Sequence, residues 1–73
     1  MKLNEMKSGS QGKVKSLPKD ERLLSRITSI GLTEEAPFQV VKNDRKMPVL
    51  IYLRETLIAL NRADAERIEV TAG

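Results

Sequence analysis

Cysteine and histidine are both absent from this sequence, and each absence removes a class of function. Without cysteine there is no disulfide framework or thiolate metal site to compensate for a small core. Without histidine the chain lacks the side chain most often used as a general base near neutral pH. The two absences together remove the nitrogen and sulfur ligands of zinc, copper and most iron sites, leaving carboxylates and carbonyls, which suit harder cations. Aromatics are nearly missing as well: Phe38 and Tyr52 stand alone. Single-stranded nucleic-acid binding usually combines a basic groove with several stacking aromatics, so nucleic acid is not an expected partner. No apolar run approaches the roughly 20 residues that span a bilayer, and "MKLNEMKSGSQG" has no hydrophobic block of a signal peptide. The expectation is a cytoplasmic protein with no direct membrane insertion.

What is present is a chain of 73 residues, 40% hydrophobic and 32% charged with a net charge of +3, a balance that suits a soluble folded module. A domain this small buries only about 60% of its unfolded surface, which leaves little margin for a multi-substrate cleft. Residues 1–9 are mostly polar and read as a flexible N-terminal tail, with residues 10–73 forming one domain. "KVKSL" is a strand candidate from Lys13 to Leu17, closed by Pro18. In "DERLLSRITSIG", Leu23, Leu24, Ile27 and Ile30 fall on one helical face; Asp20 suits the N-cap, Glu21 suits the positive end of the dipole, and Gly31 suits a left-handed stop with Leu32 packing back.

From Phe38 the apolar period changes to two. "FQVVKN", "PVLIYL" and "TLIALN" read as three strands, with Arg54 and Glu55 as the tight turn between the second and third. "RADAER" fits a single helical turn, and "IEVT" a closing strand with Ile68 and Val70 inward. Ile27, Val40, Ile51, Ile58 and Ile68 are expected to be the least exposed side chains. Five short strands and one helix cannot cover both faces of an open sheet, so a curled sheet is the economical way to bury a core and limit its edges. The fold expected is mainly β: a small SH3-like barrel of about five strands, with one α-helix between the first and second strands and a short helical turn before the last.

The helix ending in Ile30-Gly31-Leu32, the charged turn, the two strands, then Ile58-Ala59-Leu60, Ala65, Ile68 and Val70 resemble the FeoA family over about residues 10–71. Val14, Leu17, Leu23 through Leu32 and Pro48 belong to the same pattern. Where that family usually has Pro-Gly after the helix this chain has Glu34-Glu35; Met47 replaces a glycine before the proline, Glu55 a hairpin glycine, and Asn61 an arginine. The resemblance implies a non-catalytic cytoplasmic accessory or regulatory protein of ferrous iron transport, acting by protein–protein interaction with the cytoplasmic domain of a FeoB-type membrane transporter. A monomer is expected. A different class of reading is a small-barrel nucleic-acid-binding or transcription-regulatory domain like the SH3-like part of metal-dependent repressors, which a contiguous basic face joining Lys13 and Lys15 to Lys42 and Lys46 would favour. No nucleophile–base pair and no Walker-type phosphate loop is in view, so no enzyme is expected.

Glu34 and Glu35 invite an iron reading, since neighbouring carboxylates ligate hard divalent cations. Consecutive residues after a helix rarely converge on one ion, however, and Asp44 lies in another loop, so neither a metal site nor a cofactor is expected. Glu34 and Glu35 read instead as a surface turn that Pro37 stiffens into the following strand. The candidate partner-binding residues are Leu24, at the edge of the helical stripe, with Glu34, Glu35, Arg45 and Lys46 as a charged rim. Lys42, Arg45 and Lys46 also read as an ordinary solvated loop.

Overall fold

A computed structural model describes all residues 1–73. The strands are β1 (Gln11–Ser16), β2 (Pro37–Lys42), β3 (Val49–Leu53), β4 (Thr56–Leu60) and β5 (Glu69–Ala72), with α1 (Glu21–Ser29) between β1 and β2 and the single turn α2 (Arg62–Ala65) before β5. All neighbours are antiparallel, in the order β4-β3-β2-β1-β5. Register shifts between Val14 and Ser16 in β1 and between Val40 and Lys42 in β2 bend the sheet around its contents. The fold is the mainly β, SH3-like architecture expected, with β1 beginning two residues earlier than Lys13 and ending before Leu17.

Each element has a local cause. The Asp20 carboxylate accepts from the backbone N–H groups of Arg22 (3.0 Å) and Leu23 (3.2 Å), satisfying two donors that the first turn of α1 leaves free. Those hydrogen bonds, that of Leu23 foremost, hold its pKa below the ordinary 3.8. At the other end Gly31 takes φ +101°, with Gly31 N–H donating to Thr28 and Leu32 N–H to Ile27, the two bonds of a Schellman stop. Leu23, Ile27 and Leu32 are buried with Val40, Ile51, Ile68 and Val70, and burying a side chain such as Ile27 contributes about 2 kcal/mol. Ile58 departs from expectation: it is only half-buried, because β4 is an edge strand. Ile30, assigned to the buried stripe, is exposed at the end of α1.

The first nine residues are not a free tail. Leu3 and Met6 are fully part of the core, at 0% and 2% exposure, and Leu3–Glu5 forms a turn of 3-10 helix. Leu3 N–H donates to Ile68 and Val70 N–H to Met1, so the chain's start runs along the outer side of β5. Gly9 N–H donates to Val40, and Val40 N–H to Ser10, which sews the segment onto β2 as well. The Met6 side chain lies over Gly12, where an added Cβ would come within 2.7 Å of the Thr71 carbonyl and 2.9 Å of Met6 Cε. Two apolar side chains suffice to dock this segment because the backbone of β1 leaves room for one of them. The segment's own composition carries no sign of this docking, because its partners are Gly12 and the β5 edge, the latter far away in the chain.

Three residues other than glycine have positive φ: Glu35 (69°), Arg54 (51°) and Glu55 (65°). Arg54 and Glu55 form the two-residue β3–β4 turn with the backbone of type I′, and Glu35 occupies the third position of a turn closed by Ala36 N–H donating to Thr33, the position where type II turns favour glycine. Glu35 and Glu55 are two of the positions at which glycine was missed in the sequence, so the turns keep a glycine geometry without the glycine.

Glu55→Gly is therefore expected to stabilise the protein by about 1 kcal/mol, the order of the left-handed penalty for a residue with a Cβ; urea unfolding measures it, and a lower midpoint would show that the turn carries no such strain. A second expectation concerns Glu69, whose carboxylate lies 3.0 Å from Lys2 Nζ and 3.3 Å from the Met1 amino nitrogen. The Lys2 side chain first, then the amino group, hold its pKa below the ordinary 4.5. A carboxyl depressed in the folded state stabilises it above the unfolded pKa and loses that contribution as pH falls through the folded value. Hydrogen-exchange protection of the Leu3 and Val70 amides should thus weaken selectively as pH falls below the ordinary 4.5, and Glu69→Gln should abolish that selectivity.

Candidate interaction surface

The surface begins with the way α1 is held against the end of the sheet. Arg26 at the last turn of α1 donates from one nitrogen to both oxygens of Asp64 in α2, at 3.0 and 3.1 Å. Ile30, Ile58 and Leu60 lie beside this pair and form a groove of about 360 Å³ between α1 and β4. It joins a second groove of about 420 Å³ through the shared residues Ala59 and Asn61; here the wall is Arg45, Lys46, Met47, Pro48 and Arg62. The two make one furrow along the outer side of β4, apolar near α1 and basic at the β2–β3 loop.

That loop is held by Asn43. Its side-chain amide donates to the carbonyls of Asn4 (2.8 Å) and Met6 (2.6 Å), its oxygen accepts from Arg62 Nη1 (2.7 Å), and its own N–H donates to Ser8 Oγ (2.8 Å). Arg62 Nη1 also donates to the carbonyls of Asp44 (2.8 Å) and Met47 (3.3 Å). Arg62 thereby spends one nitrogen fastening the loop, while Arg45 and Lys46 form no ion pair. In sequence the loop has the look of solvated charge, and nothing local marks Asn43 or Arg62, because Asn43's partners at residues 4–8 are distant in the chain.

The five residues singled out from sequence do not gather at one place. Arg45 and Lys46 line the basic half of the furrow. Leu24 is half-buried on α1 and lines neither groove; Arg26 on α1 and Ile30 just past its end line the apolar one. Glu34 and Glu35 are exposed in the turn after α1, outside both grooves. Nowhere do three acidic side chains come together in the manner of a metal site. A separate trough of about 300 Å³ lies among Lys13, Gln39, Tyr52 and Arg54, with Phe38 and Tyr52 as its main apolar contribution.

The lysines do not make a contiguous basic face. Lys13 pairs with Pro37 at the start of β2, whereas Lys42 ends that strand. Five residues of strand separate them by roughly 16 Å, and Lys15 lies farther still, well beyond a Debye length of about 8 Å at physiological salt. No helix is long and apolar enough to cross a membrane.

Asn43→Asp should cost about 2–4 kcal/mol, because a carboxylate cannot donate to the Asn4 and Met6 carbonyls it would face while the Arg62 contact survives; chemical denaturation with amide exchange at Gly9 and Val40 tests this. An unchanged midpoint would mean the loop is held otherwise.

Set beside known proteins, the chain matches the model of the FeoA domain over residues 1–72. Its structure superposes on that of an iron uptake regulatory protein (FeoA) with a TM-score of 0.94 at 26% identity, covering 100% of this chain and 97% of that one. The zinc-complexed FeoA of Stenotrophomonas maltophilia, described as a prokaryotic SH3 domain protein and candidate ferrous iron transport activating factor, gives a TM-score of 0.83 at 21% identity, covering 97% and 89%. A manganese-dependent transcriptional repressor gives 0.90 at 19% identity, covering 100% of this chain and 41% of that longer one. The last two likenesses are of fold alone. A comparison with curated protein sequences finds no match.

Proposed function

This chain belongs to the FeoA family, and from that premise we propose that it is a non-catalytic accessory of ferrous iron transport which works in the cytoplasm by binding the cytoplasmic domain of a FeoB-type transporter. The observation that carries the reading is the furrow along β4. It offers Ile30, Ile58 and Leu60 as an apolar floor and Arg45 and Lys46 as unpaired charge at one end, an apolar anchor with a polar rim. Iron is the cargo of the transporter in this reading and not a ligand of the chain. Glu34 and Glu35 have no third carboxylate beside them, and a ferrous site built from adjacent glutamates and water would be weak. The same lack of imidazole, thiolate and nucleophile–base pairs supports a non-catalytic role.

The repressor-like reading draws on fold alone, and the separation of Lys13 and Lys15 from Lys42 and Lys46 deprives it of a continuous phosphate-binding face.

Anaerobic titration with ferrous ion is expected to leave the amide spectrum nearly unchanged, while the soluble cytoplasmic domain of a FeoB-type transporter should shift resonances along one contiguous patch that includes Ile58, Ala59 and Lys46. Saturable shifts at Glu34 and Glu35 with micromolar iron, together with silence towards the transporter domain, would overturn the proposal.

A further inference from the structure

The sheet has two edges, and the chain treats them differently. The β5 edge is closed by the chain itself, through Leu3 N–H to Ile68 (3.0 Å), Val70 N–H to Met1 (2.8 Å) and a bridge between Lys2 and Glu69. Nothing closes β4. Leu53 and Thr56 flank the two-residue turn, with Ile51 opposite Ile58 and Val49 opposite Leu60. In an antiparallel ladder alternate pairs exchange both hydrogen bonds, so Thr56, Ile58 and Leu60 spend their backbone groups on β3. Leu57 and Ala59 direct theirs outward, where no backbone or side-chain group meets them.

This edge also lacks every device that keeps strands apart. Thr56–Leu60 contains no charge and no proline, and its register with β3 runs without a bulge. Leu57 is the most exposed large apolar side chain of the protein, at 59%. A strand laid against β4 would find apolar surface on both of its faces: Ile30 and Ile58 on the furrow side, Leu57 with its cross-strand partner Tyr52 on the other. Beyond the C-terminal end of β4 wait Arg45 and Lys46, whose side chains form no ion pair; the neighbouring Asp44 carboxylate accepts from the Lys46 backbone N–H (3.3 Å).

We infer that β4 is a strand-docking edge: an extended segment of a partner protein, apolar on both faces and acidic at its N-terminal end, adds antiparallel to β4 as a sixth strand. The antiparallel sense puts the segment's first residues beside Arg45 and Lys46. A second copy of this chain fits less well. Symmetric pairing about Ile58, with Leu57 opposite Ala59, would set Arg54 of each copy against Arg62 of the other, and facing like charges oppose it. The inference rests on the protein-binding reading above and adds the mode of recognition: main-chain hydrogen bonds for affinity, side chains for choice.

The test uses the full chain and a short peptide, two acidic residues followed by a run of β-branched residues, observed by amide NMR. Saturable shifts and slowed exchange at Leu57 and Ala59 are expected. Replacing the acidic pair by lysines, or methylating the peptide nitrogens that face β4, should weaken binding at least about tenfold. Ala59→Pro removes an outward N–H without touching the β3–β4 ladder and should abolish binding; Leu57→Lys, on the same edge, is the second variant. Equal binding of the methylated peptide, or shifts confined to the Tyr52 and Arg54 trough, would overturn the inference, as would sedimentation showing that the free chain dimerises through β4. The transporter domain separates the two readings. If it binds wild type and Ala59→Pro alike, the accessory reading stands and the edge inference fails; if the peptide binds and the transporter domain does not, the edge stands and the partner is another protein.

Discussion

Three parts of this chain that have no contact in sequence meet at the amide of Asn43. It caps two carbonyls of the first segment, receives Arg62 from α2, and so fixes the β2–β3 loop between them. A carbonyl left without a donor in such a place costs about 1–3 kcal/mol, a large share of the stability of a domain with so small a core. Placement of the first segment completes the core with Leu3 and Met6, and placement of the loop presents Arg45 and Lys46 at the end of the furrow. One side chain thus couples the interior of the molecule to the surface on which its proposed role depends.

The elements whose causes are local could be read from the sequence. Asp20 and Gly31 bound α1 because capping acts over a single turn, and the alternation of Val49, Ile51 and Leu53 identified β3 because a pleat has period two. The family resemblance was legible for a similar reason, as a series of core and turn positions in order. What escaped is non-local. The opening segment looks polar until Gly12 and Asn43 are brought beside it. Ile58 has the pattern of a core residue, but alternation tells which face a side chain takes and not how many strands flank it. Leu24 and Ile30 were grouped on one helical stripe, yet only Ile30 reaches the furrow, because at roughly 100° per residue Leu24 points about 120° away from Ile30 while Leu23 and Ile27 point to the same side as it. Of the residues singled out as a charged rim, Arg45 and Lys46 line the furrow, while Glu34 and Glu35 sit in a turn outside both grooves.

The left-handed residues give the family resemblance a physical content. Glu35 and Glu55 keep positive φ where glycine would be unstrained, so the backbone path is dictated by the closing of the sheet and not by the residue at the corner. The β3–β4 hairpin therefore holds β4 in register even with an unfavourable turn, and with it the row of Ile58 and Leu60 that floors the furrow.

The place of β5 between β1 and the chain's first residues has a consequence for the order of assembly. β2, β3 and β4 form a meander whose pairings join neighbours in the chain, and such pairings close early because little loop entropy opposes them. Both seams of β5 join its residues to distant partners, Val70 to Val14, 56 residues away, on one side and to Met1, 69 residues away, on the other. Neither Leu3 nor Val14 has its full surroundings until β5 has been made and laid in. A ribosome-bound chain short of Glu69 would accordingly carry the meander as a partly ordered platform, with its first segment held only on the β2 and Asn43 side and its open strand already on offer.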